Sequence, residues 1–323
     1  MGLHSTPISE IQSLIMSDGL FIYEKALDDF RRLYNPANTL VKEPVNAVTY
    51  REETKPFLQG LINEVKTGSD LNQPLICLSE EYESTELPEG SIAFHRIIGP
   101  IMAEARWHFS TIQFERDFLA AEANPAISAH FFFAKSPGGE TYYLDAVSKT
   151  LRNHTKPIIC FVRQMCASAA YYICCHADKI ICNTDNDFIG SIGTMVSFND
   201  WSKYDEKMGI RPIEAKATNS DLKNKKTDDL IAGKPKQFIE DILDPLNEQF
   251  LSEVQASRPI IGKMERTNPV LRGEIYRAAV AITPECGLVD EIASFEDAVQ
   301  TAFDAGQSWI NKQRTNRSIT RLL

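Results

Sequence analysis

The sequence lacks any apolar run approaching the ~18–20 residues that cross a bilayer. Its first residues, MGLHSTPISE, hold no basic stretch followed by an apolar core. Neither a membrane span nor a secretory leader is therefore expected. MGLHST fits the loose pattern for N-terminal acylation, which is too common by chance to carry weight. Positive charge is also short: 34 Lys and Arg stand against 44 Asp and Glu, for a net charge of −10. An acidic chain is a poor general ligand for nucleic acid or an anionic membrane. The one basic stretch, NKQRTNRSITRLL at the end, reads as a solvated terminus. Cysteine occurs seven times without a single Cys-x-x-Cys pair. The odd count argues against a disulfide frame and for a reducing, cytoplasmic setting. Histidine is sparse, with six residues and none beyond His176.

What is present is enough apolar residue, 43% of 323, to bury a sizeable core. Five cysteines (Cys160, Cys166, Cys174, Cys175, Cys182) fall within 23 residues of an apolar region. Thiols and the His176 imidazole are metal ligands in principle, but in so apolar a stretch they are read as small buried hydrophobes; no metal or cofactor is expected. Residues 1–88 read as a mixed, mostly helical extension, with Thr6-Pro7 opening a helix whose face carries Ile8, Ile11, Leu14 and Ile15. From residue 89 to 306 short apolar runs alternate with helical patterns. SIAFHRII, ISAHFFFA, PIICFV and KIIC read as strands, and FERDFLAAEA, ETYYLDAVSKTLRNH and SAAYYICCHA as helices. That alternation predicts an α/β core on a parallel sheet. A long amphipathic helix follows from 236, expected to kink at Pro245, and FEDAVQTAFDAG reads as a last helix ending at Gly306. Residues 307–323 read as a flexible basic tail.

Two strand-to-helix junctions carry the chemistry, Ser136-Pro137-Gly138-Gly139 and Cys166-Ala167-Ser168-Ala169-Ala170. In parallel sheets ligands bind at the carboxyl ends of strands, where helix N-termini offer unpaired N–H donors. If the junctions are neighbours, the Gly139 and Ala169 amides form an oxyanion hole beside the Ser168 hydroxyl. Glycine at 139 would let the backbone approach a substrate where a Cβ would collide. Taken singly, each junction is equally readable as a tight turn or a helix cap.

A serine hydroxyl needs a base. His176 lies two turns along the same helical segment, and His130 sits inside a strand, so neither suits Ser168. A lysine serves if burial lowers its pKa from ~10.4. EAKATNSDLKNKKTDD offers Lys216, Lys223, Lys225 and Lys226.

Ser168-Ala169-Ala170-Tyr171-Tyr172, Ala177-Asp178-Lys179-Ile180, Gly190-Ser191-Ile192-Gly193 and Gly287-Leu288-Val289-Asp290-Glu291 resemble the signature of the signal peptide peptidase A family of serine proteases. Phage capsid-maturation proteases are among that family's relatives, and the likeness covers roughly residues 90–305. It implies a Clp protease/crotonase-like superhelix of ββα turns and a serine endopeptidase acting through a Ser-Lys dyad. Ser168 becomes the nucleophile, Gly139 and Ala169 the oxyanion hole, and Gly138, Ala170 and Ser191 substrate-binding positions. Lys223 aligns with the dyad lysine and Lys216 with an earlier, non-catalytic one, although the intervening text is about two residues longer here. Alanines at 169 and 170 stand where the family often has glycines, and residues 1–88 show no membrane anchor. The implied partners are a peptide or unfolded protein substrate and further copies of the chain, with the helix after 236 at the contact. A crotonase-like acyl-CoA enzyme and an inactive scaffold are the alternatives on the same fold.

Overall fold

The computed structural model describes residues 20–22, 76–105 and 108–320. The helix expected after Thr6-Pro7 and the acylation pattern lie outside them. Strands β1 (Leu20–Ile22), β2 (Ile76–Cys77), β3 (Ser91–Ile98), β4 (Ile101–Met102) and β5 (Phe109–Ser110) precede helix α1 (Thr111–Ala123). Ser110 caps α1, its hydroxyl accepting the Gln113 amide at 3.2 Å. Then come β6 (Ile127–Ser136), β7 (Gly138–Glu140), α2 (Leu144–Arg152), β8 (Ile158–Ala167), α3 (Ala169–Cys174), β9 (Lys179–Cys182) and β10 (Phe188–Gly190). The remainder holds α4 (Ser202–Lys207), α5 (Lys225–Ile231), α6 (Asp244–Ser257), β11 (Ile275–Arg277), β12 (Glu291–Ile292) and α7 (Phe295–Thr320).

The α/β expectation holds. The large sheet runs β11-β10-β8-β6-β3-β2, with β3, β6, β8 and β10 mutually parallel and β9 and β12 attached beyond β8. A small sheet, β1-β7-β4-β5, stands apart from it. Long strand, short strand, helix is the repeating pattern: β3-β4 and the added short strand β5 before α1, then β6-β7-α2, which is the expected superhelix of ββα turns. Each long strand is apolar on both faces because both are covered. Phe132 and Ala134 of β6 join the core that includes Phe114, Phe118, Leu151 and Tyr171. Phe131 and Phe133 face the other way, where Phe295 of α7 sits edge-on to Phe94, Phe131, Phe133 and Phe161. The five clustered cysteines are buried in the first of these cores.

The structure adds detail to four expectations and overturns some of them. Ser136-Pro137-Gly138-Gly139 is not only a turn: its glycines begin β7, which pairs with β4 through Ile101↔Gly139. The final helix does not stop at Gly306 but runs to Thr320, and Arg314 pairs with Glu89 at 2.9 Å, so the described part of the expected tail is helical. At Gly306 an added Cβ would lie 2.3 Å from the Ser128 hydroxyl, so that glycine serves close packing of α7 on β6. A π-helical turn, Ile239–Leu243, leads into Pro245 at the start of α6. The widened turn accommodates a residue that has no N–H to give to the helix. Finally, β2 pairs with β3 through Ile76↔Ile92 and Cys77↔Ala93, so the main sheet begins before residue 89.

Candidate active site

Register brings the two junctions together. The β6–β8 ladder ends at Ser136↔Cys166, so Gly138 and Ser168 each lie two residues past neighbouring strand positions. The β10–β8 ladder ends at Gly190↔Ala167, which sets Ser191 beside Ser168 on the other side. The Ser168 amide donates to the Gly190 carbonyl at 2.9 Å, and the Ser191 amide donates to that of Glu274 at 2.7 Å. Gly138, Gly139, Ser168, Ala169, Ala170 and Ser191 therefore gather at the carboxyl ends of β6, β8 and β10. This is where open α/β sheets bind ligands.

Ser168 has φ 58° and ψ −123°, a conformation that residues with a Cβ rarely adopt. It turns the chain sharply from β8 into α3. Its hydroxyl is buried and makes no hydrogen bond among the described residues, which is uncommon for a buried polar atom. Ser191, with φ 53°, shares the left-handed backbone.

Gly139 is needed for a reason other than the one expected. An added Cβ there would meet the Ile101 carbonyl oxygen at 2.0 Å, so the close approach is that of β4 and not of a substrate. The Gly138 amide donates to the Ser136 hydroxyl at 3.1 Å, tightening the turn into β7. Glu140 anchors the next loop by accepting the Ala103 amide at 2.8 Å, and burial raises its pKa. Sequence reasoning misses these contributions of β4 and Glu140, because a two-residue strand leaves no periodic signal.

His176, His95 and His130 are engaged away from Ser168. His176 contacts Ser148 at 3.0 Å and Ser257 at 3.2 Å, and burial holds its pKa down at about 3. His95 and His130 meet at 3.0 Å within the core, and His130 also reaches Glu122 at 2.7 Å. Burial lowers the pKa of both rings.

The lysines are where the structure departs from the implied dyad. Among the described residues the Ser168 hydroxyl has no partner, so neither Lys223 nor Lys216 is bonded to it within this single chain. Lys223 is exposed, in the turn that precedes α5. Lys216 pairs with Glu214 at 3.1 Å and Asp228 at 3.3 Å. Its bonds to Glu214 and Asp228 raise its pKa. Lys225 and Lys226 pair with Asp229 and Asp241. The cause is structural: among the described residues, most of the chain from 199 to 237 is exposed.

A parallel sheet whose strand ends hold a strained serine elbow beside a glycine-built short strand defines the class, an α/β fold with a serine at a strand-to-helix turn. Residues 150–308 match the pattern of peptidase family S49. The resemblance drawn from Ser168-Ala169-Ala170-Tyr171-Tyr172 and its companion motifs therefore stands. Among curated proteins, Protease 4 of Haemophilus influenzae is 26% identical over 185 residues, which is 56% of this chain and 29% of that protein. A putative protease of Methanocaldococcus jannaschii is 24% identical over 182 residues, 55% of this chain and 56% of that protein. The match thus spans less than two thirds of either relative. Similar solved structures include a ClpP1 mutant from Listeria monocytogenes, with 14% identity, 64% of this chain and 93% of that chain covered, and a TM-score of 0.38. Another is a mutant of the membrane-bound stomatin-specific protease 1510-N in complex with a substrate peptide, with 15% identity, 67% and 81% covered, and a TM-score of 0.40.

Proposed function

We propose that the protein is a serine endopeptidase in which Ser168 is the nucleophile and Lys223 the base. The observation that carries this reading is the Ser168 elbow, with φ 58°, ψ −123° and a buried hydroxyl left without a partner. Strain of this kind costs about 1–3 kcal/mol and is kept where a reacting group must be held at a strand-to-helix turn. A crotonase-type enzyme needs no such serine.

The proton of Ser168 Oγ passes to neutral Lys223 Nζ as the oxygen attacks the scissile carbonyl. The Gly139 and Ala169 amides hold the oxyanion, and the lysine ammonium protonates the leaving amine. Water then repeats the cycle on the acyl-enzyme. Gly138, Ala170 and Ser191 line the path of an unfolded chain, whether a signal-peptide remnant or a capsid precursor.

Lys223 reaches Ser168 when a second copy of the chain covers the exposed segment that carries it. Trp201, Tyr204, Met208, Ile210 and Ile213 are all exposed in that segment. Its burial in a homo-oligomer, with the helix after 236 at the contact, supplies the desolvation that a neutral lysine requires.

Ser168→Ala is expected to abolish both fluorophosphonate labelling and hydrolysis of an unfolded protein. Lys223→Ala should reduce hydrolysis at least 10³-fold, on the scale of a lost catalytic base, while Lys216→Ala retains it. Persistent labelling of Ser168→Ala removes the serine from its role, and an active Lys223→Ala protein removes the lysine.

A further inference from the structure

Residues 20–22 of the chain itself lie against the candidate oxyanion strand. β7 has two edges. One is taken by β4, through the Ile101↔Gly139 pair. The other is taken by β1, antiparallel, in the register Leu20↔Glu140, Phe21↔Gly139 and Ile22↔Gly138. β1 ends the small sheet, so among the described residues it alone covers that edge.

An extended peptide recognised by a sheet adds to it as a further strand, and its main-chain bonds supply the affinity. On β7 only the edge held by β1 is open to such an addition, because β4 closes the other. The same three residues, Gly138, Gly139 and Glu140, follow the turn that stands next to Ser168 by register. Consistent with a closed site, Ser168 is only 1% exposed and Gly138 and Gly139 are buried.

We propose that residues 20–22 act as a built-in competitor, occupying the strand edge on which a peptide must dock and holding the site closed until displaced. This rests on the peptidase reading above. The pairing is suited to displacement. It is three residues long, shorter than strands that are stable on their own, and it joins segments more than a hundred residues apart. A longer extended substrate makes more main-chain bonds along the same edge and replaces it.

The test uses the full chain with Ser168→Ala, so that nothing is cleaved, and a fluorescein-labelled peptide of residues 16–26 as the probe. Phe21→Pro removes an amide from β1 and fixes its φ, which breaks strand pairing. Phe21→Val keeps a strand-forming backbone. Anisotropy is expected to show at least tenfold tighter peptide binding to the Phe21→Pro protein than to the parent, with Phe21→Val like the parent. Leu20→Pro should repeat the Phe21→Pro result. Hydrogen exchange at the Gly139 and Glu140 amides should quicken in the proline variants alone. Affinities equal within twofold in parent and both proline variants overturn the proposal. Fluorophosphonate labelling of Phe21→Pro with Ser168 intact judges the peptidase reading separately: tight peptide binding without labelling would count against the nucleophile and not against the competing strand.

Discussion

At Ser168 the backbone, and not a neighbouring side chain, does the positioning. No partner orients the hydroxyl; the φ of 58° is imposed by β8 on one side and α3 on the other. The histidines show the opposite case, side chains held by partners and by burial. For His176 the consequence for pH has a definite sign. Its pKa is about 3 folded, against 6.5 unperturbed, so the unfolded chain binds the extra proton. Stability is therefore complete above pH 6.5 and is lost as pH falls from there toward 3, by about 1.4 kcal/mol per unit for one proton. His95 and His130, also lowered by burial, act in the same direction. His176→Gln is expected to remove about one proton from the slope of stability against pH between 6.5 and 5, measured by urea unfolding. An unchanged slope would show that the ring is not held neutral.

Among the elements, the long strands are legible in the sequence because runs such as ISAHFFFA and PIICFV are apolar on both faces and end at turn residues. β4 and β7 are not, since two or three residues carry no period and their pairing is set by contacts across the fold. The two serine and glycine junctions can be read, yet the positive φ of Ser168 and the collision that fixes Gly139 depend on neighbours in space. Gly306 misleads in α7, because a glycine there looks like a helix stop. Packing outweighs propensity at this position: the missing side chain lets the helix sit on Ser128. Gly306→Val is accordingly expected to push α7 off β6 and to destabilise the protein by about 1–3 kcal/mol in chemical denaturation. A neutral or stabilising effect would mean that the helix has room to move.

For the whole molecule, the segment between β10 and α6 makes the sharpest contrast with the core. Its charge run offers four lysines in the sequence, and the implied dyad needs one of them buried; the single chain leaves the segment exposed, Ile213 at 89%. A change at so open a position should alter folding stability by no more than about 0.5 kcal/mol. Ile213→Glu is thus expected to leave thermal unfolding nearly unchanged while light scattering shifts toward the monomer and hydrolysis falls with it. A variant that stays assembled and active would place the contact elsewhere. The ladder that closes the sheet has a different consequence. β12 joins β9 through Glu291↔Ile181 and Ile292↔Cys182, and the Asp290 carboxylate accepts the Ile180 amide, a contact across 110 residues. During synthesis, a ribosome that has already released β8 and Ser168 must still deliver this late segment before the nascent sheet is complete. Ser168 is thereby made early and the strand that completes its sheet late, so the full frame around the serine is assembled only once residues 290–292 have been made.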